Sequence, residues 1–222
     1  MSKRPAQQLA IAGVSLALTI GLFFVVQSKD SIFRWSMASG YTGLALLGTS
    51  LVIGPWNVIR GAPNPISTHL RRDIGIWGGV VGLVHTVLGL QVHMRGKFWL
   101  YFIFSPEESH RIPLRYDLFG FANYTGLAVA MILLLLLSLS NDSSLIRLGL
   151  HRWKALQRWN YAGFLLLVLH GAAYQFIEKR GPGFIVLFAI SVLLVCAFQV
   201  SGFRAIRKEK RVALPGSLAS RD

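Results

Sequence analysis

Long apolar runs return six times along this chain, and an ordinary soluble domain has no place for them. A helix crossing a bilayer needs about 20 mostly apolar residues, because its backbone polar groups must pair within the segment once water is gone. Six stretches qualify, approximately 9–26, 38–59, 74–92, 118–139, 159–177 and 183–203. Their connections are mostly short, so residues 1–222 read as one domain with nothing outside the membrane large enough for a second. Composition agrees, since 53% of the residues are hydrophobic and only 14% are charged, a balance outside the usual soluble range. The expected fold is all-α, an integral membrane six-helix bundle.

The first run follows Lys3 and Arg4 as a signal peptide would, but it is long, and "VVQSKD" after it lacks a small-residue cleavage pattern. The single cysteine, Cys196, excludes an internal disulfide and a covalent C-x-x-C-H haem attachment. Basic residues set the orientation. Fifteen of the 23 lysines and arginines fall on the side of the amino terminus, including Arg71, Arg72, Arg152, Lys154, Arg158 and the cluster Arg204–Arg211. The other side receives Lys29, Arg34, Arg95, Lys97, Arg111, Arg115, Lys179 and Arg180. The positive-inside rule then puts both termini in the cytoplasm of a cell with the chain in its inner membrane. The net charge of +14 flanks spans instead of forming one soluble face, so it reads as topology signal and contact with membrane lipid, with no nucleic acid as partner.

Two histidines lie inside spans. His85 is 13 residues beyond Arg72 and His170 is 12 beyond Arg158, which puts them about 20 and 18 Å past the cytoplasmic edge at the helical rise. The third and fifth spans run the same way, so the imidazoles reach nearly one depth. That arrangement suits bis-axial ligation of a b-type haem, with His85 and His170 as the metal ligands. Gly78, Gly82 and Gly89 stand at −7, −3 and +4 from His85, and Gly163 at −7 from His170. These are same-face positions, and they are expected to leave a smooth cofactor-binding groove for the macrocycle. The competing reading makes the histidines interhelical hydrogen-bonding residues, or a proton or metal site of a transporter or channel, with the glycines serving helix contact. Asp117, Asp142 and Glu178 all sit at span edges, which counts against a transporter.

"LRRDIGIWGGVVGLVH" (residues 70–85) resembles the start of the third span in the ferric-reductase-like transmembrane family, where paired arginines lead to a haem-ligating histidine. "SLSNDSSLIRLGLHRWKALQRWNYAGFLLLVLH" (residues 138–170) is similar to that family's passage from fourth span to fifth. "GPWNVIR" and "FGFANYTGLAV" are fainter likenesses. Within the family, the size matches the haem-bearing membrane subunits that serve periplasmic methionine sulfoxide reductases. The resemblance implies heme b as cofactor and His85 and His170 as ligands. Where the family commonly carries the first histidine of the fifth span, this chain has Gln157, a poor iron ligand, so one haem is expected.

His93, eight residues past His85, is about 12 Å farther out and cannot share the haem plane as an axial ligand. It is expected at the outer interface, near a propionate or an acceptor. His69 and His151 lie at the cytoplasmic edge, and His110 reads as a solvated loop residue. Arg95, Lys97, Lys179 and Arg180 are expected to snorkel at the outer interface, one or two of them meeting haem propionates. Trp35, Trp56, Trp99 and Trp159 fall near span ends, as an aromatic belt predicts. The long connection 94–117 is expected to hold a short interfacial helix. No G-x-G-x-x-G fingerprint follows a predicted strand. Electrons are therefore expected from a separate flavoprotein, from a flavin (FMN or FAD) at the cytoplasmic face, or from a membrane quinol with its quinone site there. They would leave to an extracytoplasmic acceptor protein or metal. A structural subunit of a larger membrane complex is the remaining alternative.

Overall fold

A computed structural model describes residues 4–61, 69–94 and 96–213, with side chains to residue 208. Lys3, Arg95 and Arg221 of the charge pattern lie outside the described residues, as do the side chains of Lys210 and Arg211. Seven α-helices are described: α1 Arg4–Val25, α2 Ser31–Ile59, α3 His69–Val92, α4 Leu118–Ser138, α5 Asp142–Gln157, α6 Trp159–Ile177 and α7 Pro182–Ala213. Five of them, α1, α2, α3, α4 and α7, are long and apolar enough to cross a membrane, which makes the chain a multi-pass membrane protein. The helix α6 is not among the five; Asn160, His170 and Gln175 interrupt its 19 residues.

Hydrogen bonds across helix ends give the directions. Gln7 on α1 donates to Asp73 on α3 at 2.9 Å, and Trp77 on α3 donates to Gln8 on α1 at 2.8 Å. Arg72 donates to the Ser140 carbonyl after α4 and to Asp142 on α5. The N-termini of α1 and α3 therefore share a rim with the C-terminus of α4. Arg34, near the start of α2, reaches the Phe23 carbonyl near the end of α1 at the opposite rim. Gln199 on α7 donates to Leu51 on α2, so these two helices run together.

The most enclosed helix is α2, which packs against α1, α3 and α7. Small residues let its neighbours close in. A Cβ on Gly43 would stand 3.6 Å from the Gly82 Cα of α3, a near backbone contact of the kind that packs helices tightly in lipid. Thr19 and Thr42 pair at 3.0 Å between α1 and α2 while also bonding backward to their own helices, so neither hydroxyl is stranded. Asp30, Asp117 and Asn141 cap the starts of α2, α4 and α5 by accepting backbone N–H groups.

Two segments differ from the sequence expectation. Residues 142–157 read as a connection but form α5, polar for most of its length and bent at Gly149, where φ is +71°. Connection 94–117 holds two 3₁₀ turns, Phe98–Tyr101 and Pro106–Glu108, in place of one interfacial helix. Tyr101 is 1% exposed, and its hydroxyl donates to the Gly89 carbonyl while accepting the His93 N–H, which binds this loop to the last turn of α3.

Asp73, near the start of α3, is a further carboxylate at a span edge. It is fully buried, with Arg4 at 3.6 Å and Gln7 bonded to it. Replacing Asp73 with Ala removes a charged hydrogen-bond acceptor and is expected to lower stability by about 1.5–3 kcal/mol. Asp73→Asn, which keeps an acceptor for Gln7, should lose less. Denaturant unfolding in detergent, followed by tryptophan fluorescence, checks both.

Candidate functional site

The imidazoles of His85 and His170 face each other in a cavity between α2, α3, α4 and α6, with Phe188 of α7 on its wall. Their ring centres are 6.1 Å apart and their planes are 78° apart. Each ring is fixed by a neighbouring helix. His85 Nδ1 lies 2.8 Å from the Ser36 carbonyl of α2, and His170 Nδ1 lies 2.7 Å from the Ala122 carbonyl of α4. A carbonyl only accepts, so each Nδ1 carries the proton and each Nε2 keeps its lone pair. This is the arrangement by which a metal-ligating histidine is held in one tautomer and one orientation.

The rings can reach those carbonyls because glycines stand beneath them. A Cβ on Gly126 would lie 2.7 Å from His170 Nδ1 and 2.8 Å from Cε1, and one on Gly40 would lie 3.0 Å from His85 Nδ1. Both glycines sit on the helix opposite the histidine, at no recognisable spacing from it in sequence. Gly126 does fall within "FGFANYTGLAV", which marked the stretch without marking the residue.

The four glycines read from helical spacing divide. Gly82 and Gly89 line the cavity. Gly78 and Gly163 do not; a Cβ on Gly78 would press on Leu46 and Leu47 of α2, and one on Gly163 on Ile132 of α4. A seven-residue step drifts about 20° around an α-helix, and the neighbouring helices lie close enough to claim those positions for packing.

Toward the rim opposite the amino terminus, the cavity ends in a polar group. His93 Nε2 is 2.6 Å from Glu178, and the His93 ring stacks on Tyr174 at 6.1 Å. Tyr174 donates to Asn123 at 3.0 Å and lies 5.0 Å from the His170 ring. Arg180, in the turn between α6 and α7, lines the same cavity; its Nε and Nη1 are buried with no hydrogen-bond partner. Burial pulls its guanidinium below the ordinary range, and nearby Glu178 opposes that shift. Lys97 and Lys179 are absent from this wall, and Arg95 lies outside the described residues.

A second cavity opens at the other rim, among α2, α3, α4, α5 and α6. Gln157 lines it, as does His69, the single histidine on its described wall; His151 is exposed elsewhere on α5. His110 stacks on Phe104 and meets Tyr116 in the loop. Among the described residues no three or more His, Cys, Asp or Glu side chains gather where they could hold a metal ion. Comparison with known proteins finds no family model, curated relative or solved structure that matches the chain.

The fit between Gly126 and His170 has a direct readout. Gly126→Ala is expected to push the ring from the Ala122 carbonyl and lose its fixed tautomer. Nitrogen chemical shifts of a histidine-labelled sample measure this, and a spectrum unchanged at His170 would place the ring elsewhere.

Proposed function

We propose that this chain is a six-span membrane cytochrome of the ferric-reductase-like kind, holding one b-type haem between His85 and His170. Its role would be to pass single electrons from a cytoplasmic flavoprotein, flavin or quinol to an acceptor outside the inner membrane, with both termini cytoplasmic. One observation carries the reading: two imidazoles on separate helices, each with Nδ1 tied to a carbonyl, with ring centres 6.1 Å apart. His85 and His170 would hold the iron through their Nε2 lone pairs, and two metal–imidazole bonds of about 2.0 Å would fit within that separation.

The remaining wall supports the same group. Two protein nitrogens are too few to hold a bare ion in a closed site, whereas a porphyrin brings four of its own. The unpartnered Nε and Nη1 of Arg180 offer charge-assisted hydrogen bonds to a carboxylate such as a propionate. Gly82 and Gly89 leave the α3 wall without side chains on either side of His85. Bound there, the haem supplies one-electron oxidation and reduction of its iron. The chain's own residues orient both ligands, exclude water with Leu47, Val129 and Leu133, and place positive charge at one edge.

His85→Ala and His170→Ala should each abolish the Soret band of the purified protein while the chain still inserts, and a full band in both variants would refute the assignment. Arg180→Gln should keep the band and lower the midpoint potential, because the lost positive charge favours the reduced iron over the oxidised one. Optical redox titration measures that shift.

A further inference from the structure

The cavity at the amino-terminal rim has a different chemistry from the histidine site, and ligation by the two histidines does not account for its shape. It is a slot with a volume of about 520 Å³. On α3 it is lined from His69 to Gly79, and on α4 from Leu133 to Leu137 with Ser140 just past the helix end, a depth of roughly 10–15 Å at the helical rise. Gly75 takes no side-chain space on the α3 wall, and at Gly79, one turn on, Leu137 of α4 packs where a Cβ would stand, 3.0 Å away, and closes the slot. The base is apolar, formed by Leu133, Leu136 and Leu137 of α4 with Leu47 of α2.

The mouth is cationic. Arg71, Lys154 and Arg158 stand around it with no carboxylate partner among the described residues. The acid present, Asp142, already faces Arg72 at 2.7 Å and Arg4 at 3.9 Å, and the hydrogen bond from Arg72 holds its carboxyl below the ordinary range. Gln157 adds a second kind of demand, because its Nε2 is buried on this wall with no acceptor. An orphaned amide N–H and three cations need an anion with several oxygens, while the leucine base needs hydrocarbon.

We propose that this slot binds an acidic phospholipid. Its phosphate meets Arg71, Lys154, Arg158 and the Gln157 amide, and the upper part of one acyl chain lies on the leucine base of the slot, against Leu136 and Leu137. A membrane lipid is the occupant that brings both parts together and is present at the rim where these cations lie. The site depends on neither His85 nor His170, so it stands or falls separately from the haem assignment.

Trp153 reports on it, since its ring lines the slot and its Nε1 is anchored to the Leu139 carbonyl at 3.0 Å. The full chain in mild detergent is titrated with acyl-brominated phosphatidylglycerol or phosphatidylcholine, and the same titration of Trp153→Phe is subtracted to isolate the Trp153 signal from that of the other tryptophans. Phosphatidylglycerol should quench Trp153 at a several-fold lower mole fraction than phosphatidylcholine. Lys154→Gln and Gln157→Leu, each kept only if helix content by circular dichroism is unchanged, should remove most of that preference. Equal quenching by the two lipids, absent quenching of Trp153, or a preference untouched in both variants would each overturn the proposal. Should neither variant fold, inorganic phosphate takes their place as competitor: it must raise the phosphatidylglycerol midpoint more than chloride at equal ionic strength, and failure to do so also overturns the site.

Discussion

The histidine site exists because helices come close enough for a side chain on one to use the carbonyl of the next. In lipid, apolar surface gains nothing from leaving water, so helices associate by packing and by polar contacts. Glycine is the residue that permits both at once. Gly43 lets the backbones of α2 and α3 nearly touch, and Gly40, one turn away, leaves room for the His85 ring to reach Ser36. On the other flank, Gly163 of α6 meets Ile132 of α4, and Gly126 opens the space in which His170 finds Ala122. A buried imidazole N–H without such a partner would cost about 1–3 kcal/mol; here each ring gains a fixed orientation instead.

Sequence spacing is informative where one helix decides the outcome and weak where two must agree. Apolar runs locate the long helices, since length and hydropathy are properties of a single segment. His85 and His170 stand out for the same reason, each an ionisable residue inside a run that water does not reach. Gly40 and Gly126 carry no comparable signal: their importance lies in which residue faces them on another helix, 45 and 44 positions away. Gly78 and Gly163 show the converse, placed correctly on the histidine side of their helices yet taken up by leucine and isoleucine neighbours that no single-helix pattern contains. The helix α5 was hidden by its polarity, although Asn141 as cap, Asp142 in the first turn and Lys154 in the last are the signs of a helix start and end.

The two cavities divide the molecule by chemistry. Toward the amino-terminal rim the walls are cationic and contain one histidine; toward the opposite rim they hold two facing imidazoles, the His93–Glu178 pair and a buried guanidinium. Polar groups inside a membrane helix bundle are costly and are kept where they meet a partner or a ligand. Asp73 has Arg4 and Gln7; Tyr174 has Asn123. Among the described residues the buried donors left without a hydrogen-bond partner belong to Arg180 and Gln157, one in each cavity, while the unpartnered Oδ1 of Asp73 lies within 3.6 Å of Arg4.

Leu47 and Leu133 belong to the walls of both cavities. The partition at that level is thus a single thickness of branched aliphatic side chain, contributed by α2 and α4 and packed against Val129 and Leu167. The side chains of Leu47 and Leu133 have no group that can hand on a proton or replace the water around an ion. What keeps two chambers of opposite chemistry apart is therefore the volume of two side chains, and trimming both to alanine would open one chamber toward the other.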